Sequence, residues 1–248
     1  MKNILRLGLF IAVFGGFSHT NAQSLESILE SHFKVVGQEN LLSVQSIITK
    51  GVLRQGGLDI ELSTYIKRPD KYRLEGRYEG FTFVEVFDGS IGWTFNQMRG
   101  DTEPSLLADE ELELLKSQAD IDGLLFNYHD RGFEIELLEP ESVGNVLTDV
   151  ISLSNSRGLK FMYNLDSETG VILKGRTLAI IAGTRRMYES IYRDYRYVNK
   201  ILFPFSVDVY MDGEIIMEIE YDSIELNEEI EDYRFATPQS LKENPELY

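Results

Sequence analysis

The chain has 248 residues, of which 43% are hydrophobic, and it carries 41 acidic against 24 basic side chains for a net charge of −17. That apolar content excludes a disordered chain, and that charge excludes general binding to a phosphate backbone. The lack of any cysteine excludes a disulfide scaffold, thiol catalysis, thiolate metal sites and an acylated cysteine anchor.

Lys2 and Arg6 are the only charges before Glu26, and they precede an apolar run from Leu7 to Phe17. A bilayer-spanning helix needs about 20 residues, so this run is too short. A basic start, a short apolar core and then Thr20-Asn21-Ala22 give the pattern of a secretory signal peptide. Residues 1–22 are expected to be removed by cleavage after Ala22. Loss of two positive charges leaves 22 basic and 41 acidic residues in an exported mature chain.

Ser24 to Val36 carries a helical stripe of Leu25, Ile28, Leu29, His32, Phe33 and Val36, with Ser24 as N-cap and Gly37 as stop. From Val44 the period changes to 2. Leu58, Ile60, Leu62, Thr64 and Ile66 alternate with polar neighbours, as in a half-buried strand. Strands are predicted near Ser46–Arg54, Leu58–Lys67, Tyr72–Tyr78, Phe81–Phe87 and Ile91–Phe95, joined by tight turns into an antiparallel meander. Gln97 to Arg131 interrupts this rhythm with a predicted helix over Asp109–Ala119, which Asp120-Ile121-Asp122-Gly123 ends. Seven more strands follow, near Phe133–Leu138, Val146–Ser154, Leu159–Leu165, Val171–Ile181, Arg185–Tyr197, Phe205–Met211 and Glu214–Ile224. The acidic stretch from Asn227 to Tyr248 is expected to be loosely held.

The expected fold class is mainly β, one antiparallel sheet of about 12 strands that must curl or close to protect its edges. Phe81 and Phe83 share one parity while Val84 and Val86 share the other, so this strand is covered on both sides or lines a cavity. The two helices can cover one face of the sheet. Catalytic chemistry is poorly supplied. The mature chain has only His32, on an apolar stripe, and His129, in a turn, and it contains no H-E-x-x-H, G-x-S-x-G or P-loop. Asp120 and Asp122 lack the remaining ligands of a calcium loop. The Arg185, Arg186, Tyr188, Tyr192, Tyr195 and Tyr197 ribbon reads as cross-strand pairing on a solvent face, with a site for a lipid headgroup or anionic partner as the alternative. Neither an enzyme nor a cofactor is expected.

Two segments are more specific. Lys67-Arg68-Pro69-Asp70-Lys71-Tyr72-Arg73-Leu74 is followed by Asp88-Gly89-Ser90-Ile91-Gly92-Trp93-Thr94-Phe95-Asn96, with Phe203-Pro204-Phe205 and Phe235 three residues before Pro238 further on. The ordered set resembles the periplasmic lipoprotein carriers and receptors of the LolA/LolB-like outer-membrane lipoprotein-sorting family. The resemblance runs over essentially the whole mature chain, as one domain over residues 23–238 with a loosely ordered tail at 239–248. The helical insertion is longer and more acidic than in a typical carrier.

That resemblance implies an open antiparallel β-barrel of about 11–12 strands, with helices over its concave face and an apolar cavity that shelters acyl chains in the periplasm. It implies Arg68 as a latch for the cover and Trp93 and Phe95 as aromatic wall. With strand parity, the candidate cavity residues become Leu53, Ile60, Leu62, Leu74, Phe81, Phe83, Trp93 and Phe95. The implied partners are acyl chains of lipoproteins or lipids and transfer proteins of the inner and outer membranes, with no nucleic acid. The receptor branch needs an acylated cysteine, which this chain lacks. A binding protein for another hydrophobic small molecule or glycolipid, and a structural or interaction protein with a filled core, are the alternatives.

Overall fold

The computed structural model describes residues 24–181 and 184–237. The signal peptide, its cleavage after Ala22, and the tail at 239–248 lie outside these residues.

The first helix, α1 (Leu25–Val36), begins where expected. Ser24 is extended, and its hydroxyl accepts the Ser27 N–H at 3.3 Å. Gly37 ends it at φ 75°, with its N–H returned to the Lys34 carbonyl. A second, four-residue helix, α2 (Gln38–Leu41), follows immediately and was not anticipated. Its single turn is too short to show a periodic pattern.

Among the described residues, thirteen antiparallel strands then form one sheet. The first six are β1 (Ser46–Gln55), β2 (Leu58–Lys67), β3 (Lys71–Tyr78), β4 (Phe81–Phe87), β5 (Gly92–Asn96) and β6 (Ser105–Leu106). Helix α3 (Asp109–Ala119) intervenes with its expected limits. The remaining strands are β7 (Phe133–Val143), β8 (Val146–Asn155), β9 (Lys160–Asp166), β10 (Ile172–Ile181), β11 (Thr184–Val198), β12 (Ile201–Met211) and β13 (Glu214–Leu226). Four hairpins turn on residue pairs that are both at positive φ: Gly56-Gly57, Glu79-Gly80, Asn199-Lys200 and Asp212-Gly213. Such turns match the right-handed twist of the flanking strands.

The strand order is β6-β5-β4-β3-β2-β1-β13-β12-β11-β10-β9-β8-β7. Two meanders are thus joined by one long-range pairing, β1 with β13, and the sheet stays open between β6 and β7. Helix α3 contacts β3 and β4 and also β10. Seven strand steps separate β4 from β10, about 34 Å in a flat sheet, whereas a helix is about 10–12 Å wide. The sheet therefore curls into a trough, and α3 lies across it.

The inner face of the trough carries the helices. On one side, Ile28 and Leu29 of α1 pack with Ile151, Leu153, Phe161 and Leu165 of β8 and β9. On the other, Leu115 and Ala119 of α3 pack with Tyr72 and Phe87. Val44, Ile47, Ile201, Phe205 and Ile224 close the middle.

The outer face corrects one expectation. Residues 227–237 are docked, not loose. The Asn227 side chain accepts the Gln45 N–H at 2.7 Å, and Ser46 donates to the Glu228 carbonyl at 2.6 Å. Lys67 donates to the Ile230 carbonyl and to Asp232, both at 2.8 Å. Ile230 and Phe235 are 3% and 2% exposed and sit on Ile48, Val84, Val86 and Trp93. An acidic composition suggested solvation, but two apolar anchors spaced five residues apart override it.

His32 is 7% exposed, and its Nδ1 lies 2.9 Å from the Gly170 carbonyl. Burial holds its pKa below the usual histidine value, and the Gly170 bond opposes that only in part. An unfolded chain then binds more protons than the folded one below about pH 6.5, so stability is lost as pH falls from there through the lowered value. The midpoint of urea unfolding should drop between about pH 7.5 and pH 5.5, and His32→Asn should flatten that dependence. An unchanged slope in the variant would place the titration elsewhere.

Candidate functional site

Cross-strand register sorts the inner face into rows. Under the helices run Phe87, Tyr72, Ile66 and Ile47. Further along the strands runs Phe83, Gly76, Leu62, Gly51 and Tyr221. Beyond these, Phe81 faces Tyr78, and Ile60 faces Leu53, which in turn faces Ile219.

Five of the expected wall residues meet here. Leu53, Ile60 and Leu62 are buried, and Leu74, Phe83, Met98, Met217, Ile219 and Tyr221 pack against them. The Phe83 ring lies directly over Gly76, where a Cβ would stand 2.0 Å from the ring edge. Glycine there is what lets the aromatic ring lie along the floor. Leu74, Phe83, Met98, Met217, Ile219 and Tyr221 are only half-buried although they point into the trough. A filled core would have sealed them.

Phe81 has the same parity but sits at the β3–β4 hairpin and is 51% exposed, so it marks the rim. Trp93 and Phe95 do not join the wall. Trp93 pairs with Val86 and Phe95 with Val84, which places both on the outer face. Trp93 is 1% exposed, and its Nε1 donates to the Ala236 carbonyl at 3.1 Å. Alternation tells which residues share a face, but not which face is inner, and the docked C-terminal segment makes the outer face apolar too.

Three tyrosines converge on the trough from β9, β11 and β13, namely Tyr163, Tyr192 and Tyr221, of which the sequence reading named only Tyr192, as part of the ribbon. The Tyr192 ring packs over Gly175, where a Cβ would lie 3.0 Å from its hydroxyl. Burial pushes all three hydroxyls up, that of Tyr221 to about 12. All three nevertheless keep partial exposure. They are held from bulk water without being packed on every side. The Arg185–Tyr197 ribbon therefore does not lie wholly on a solvent face.

Arg68 stands at the β2–β3 turn and binds the far end of the cover. Its Nε donates to the Val44 carbonyl at 2.6 Å and its Nη1 to Asp122 at 3.0 Å. Its Nη2 reaches the Leu41 carbonyl at 3.3 Å and the second Asp122 oxygen. Gln38 of α2 donates to the Asp122 carbonyl at 3.0 Å. Arg131 extends the network, 2.6 Å from Asp120 and 3.8 Å from Asp122. Burial pushes the Asp120 carboxyl up, and Arg131 pulls it back. Asp120 and Asp122 looked like a helix terminator. Their second role needed the fold, because Arg68 is 54 residues from Asp122.

Among the described residues, no group of three or more His, Asp or Glu is placed to hold a metal ion. Among them, also, no helix is long and apolar enough to cross a membrane.

Three solved structures share this architecture. A DUF1329 family protein from Desulfovibrio piger superposes with a TM-score of 0.58 at 11% identity, covering 86% of this chain and 98% of its own. A LolA superfamily protein from Nitrosomonas europaea gives 0.57 at 14% identity, covering 88% and 100%. A domain assigned to outer membrane lipoprotein sorting from Vibrio parahaemolyticus gives 0.55 at 10% identity, covering 86% and 99%. No family model and no curated protein sequence matches the chain. The resemblance read from the ordered motifs is thus met at the level of fold: an open, LolA-like β-sheet with helices on its inner face.

Arg68 and Asp122 are 22% and 16% exposed, so removing Arg68 leaves the largely buried Asp122 carboxylate with only Arg131, at 3.8 Å. Arg68→Ala should cost about 2–4 kcal/mol in urea unfolding, and the pair should show a coupling of more than about 1 kcal/mol in a double-mutant cycle with Asp122→Asn. Single-variant costs under about 0.5 kcal/mol would mean that the tie does not hold the cover.

Proposed function

We propose that the protein is a periplasmic carrier that takes acyl chains of lipoproteins or lipids into the trough and delivers them toward the outer membrane. The observation that carries this reading is the half-buried apolar wall of Leu74, Phe83, Met217, Ile219 and Tyr221, in a trough that α3 crosses. The LolA-like fold and the signal-peptide pattern of residues 1–22 support it. Each buried methylene contributes about 0.8 kcal/mol, so a chain of about 16 carbons represents roughly 10 kcal/mol of transfer out of water. No bond has to be made or broken, and the protein acts as a binding protein rather than an enzyme.

Release needs a change in the cover, because so favourable a site would otherwise retain its cargo. Arg68 is the proposed latch. It fastens the segment after α3 to the β2–β3 turn and to the carbonyls of Leu41 and Val44. Breaking that contact would free one end of the cover while the sheet stayed intact. The proposed partners are transfer proteins of the two membranes that shift this equilibrium.

Native mass spectrometry of the mature protein should find lipid retained after purification. Trp93 is the single tryptophan and lies on the outer face, so its emission should ignore cargo. Phe83→Trp places a reporter on the wall, and its emission should move to shorter wavelength with an acylated peptide and not with the bare peptide. Absence of retained lipid together with no response of the Phe83→Trp variant would refute the carrier reading.

A further inference from the structure

One inner-face row differs from its neighbours. Thr94, Glu85, Leu74, Thr64 and Thr49 lie side by side across β5, β4, β3, β2 and β1. This row is mostly polar. It lies between the helix-covered row of Phe87 and Tyr72 and the open row of Phe83 and Leu62.

Glu85 is its charged member. The side chain is half-buried, and among the described residues it makes no hydrogen bond and no ion pair. The nearest charges that act on it are Arg99 and Glu111 of α3, and Arg99 is itself engaged with Asp101 at 3.2 Å. The buried Tyr72 hydroxyl is close enough to feel the Glu85 charge. In the same row the Thr49 hydroxyl is fully buried and has no partner. Two more deeply buried carboxylates of the sheet are neutralised. Glu75 is 6% exposed and is held by Arg73 at 3.0 Å and by Arg77, and Asp208 is paired with Arg193.

A carboxylate left unpaired in an apolar trough is costly unless something brings it a partner. Burial pushes the Glu85 carboxyl above its ordinary range, Arg99 pulls it back, and Glu111 pushes it up again. Of the two charges Arg99 acts the more strongly, but it makes no ion pair with Glu85 and is engaged with Asp101.

We infer that Glu85 is a specificity-determining residue of the trough, which receives the hydrogen-bond-donating, cationic head of an amphiphile whose hydrocarbon lies along the Phe83–Leu62 row. The head would be an amine, with a neutral hydroxyl as the weaker case, and an anionic head would be repelled by the Glu85 carboxylate. The inference rests on the carrier reading and adds to it a preference among heads. The overall charge of the chain cannot produce the same selectivity, because substitution of one carboxylate scarcely alters a net of −17. Bulk attraction at about 8 Å screening is insensitive to which acid is removed.

The test is titration of the mature protein with dodecylamine, dodecanol and laurate at physiological salt, for the wild type, Glu85→Gln and Glu85→Leu. A charge-assisted bond is worth about 1.5–3 kcal/mol, so the wild type should favour dodecylamine over laurate by about tenfold or more, with dodecanol between. Glu85→Gln should reduce the amine preference to within about threefold, and Glu85→Leu should do the same with an unchanged melting temperature. Retention of the full preference in both variants, or equal affinity of the wild type for the three heads, overturns the role of Glu85 and leaves the carrier reading standing. Failure of all three amphiphiles to bind the wild type overturns both.

Discussion

The pairing of β1 with β13 is the contact on which the rest of the molecule depends. It joins residues on strands nearly the whole chain apart, Ile47 with Leu226 and Leu53 with Ile219. Without it there would be two separate meanders, β1–β6 and β7–β13, each with exposed edges. With it the chain has one sheet whose two halves can curl toward each other. Such long-range closure is expensive in chain entropy, and the apolar packing of Ile47, Ile201, Phe205 and Ile224 offsets that cost where the halves meet.

Curling gives the two faces different tasks. The outer face is closed by the chain's own C-terminal segment, which lays Ile230 and Phe235 on Val86 and Trp93. The inner face is closed only in part. Helix α1 seals the β8–β9 side and α3 the β3–β4 side, while the rows from Phe83 to Ile219 keep residual exposure. The ties across the cover are ionic and few, centred on Arg68, Asp122 and Arg131. Apolar packing builds the walls, and a charge network fastens the segment after α3 to the β2–β3 turn.

Much of this was legible in the sequence because it is local. Period-2 alternation located Leu58–Lys67 and Phe81–Phe87 with their observed limits, and a Ser cap with a Gly stop framed α1. The same alternation put Ile60, Leu62, Leu74 and Phe83 together correctly, because residues that pair across a hairpin share a face. Trp93 and Phe95 came from the family resemblance, and pairing turns both to the outer face, because Gly92 rather than Ile91 faces Phe87. The two-residue β6 and the start of β12 at Ile201 were missed, the first for its length and the second because Pro204 hides a strand from propensity. The Arg68–Asp122 contact, the docked Phe235 and the converging tyrosines were invisible for a common reason. Each joins residues that only the curled sheet brings together.

The central claim is that the curled sheet and α3 enclose room for hydrocarbon on the inner face. Crystals of the mature protein grown with an alkyl chain brominated at its end would test it directly, because anomalous scattering locates bromine without reference to the surrounding density. The account predicts bromine beside Phe83, Leu62 and Ile219, on the open row of the inner face. Bromine only at the hairpin tips or against the outer face, with the inner side chains meeting across the trough, would contradict it.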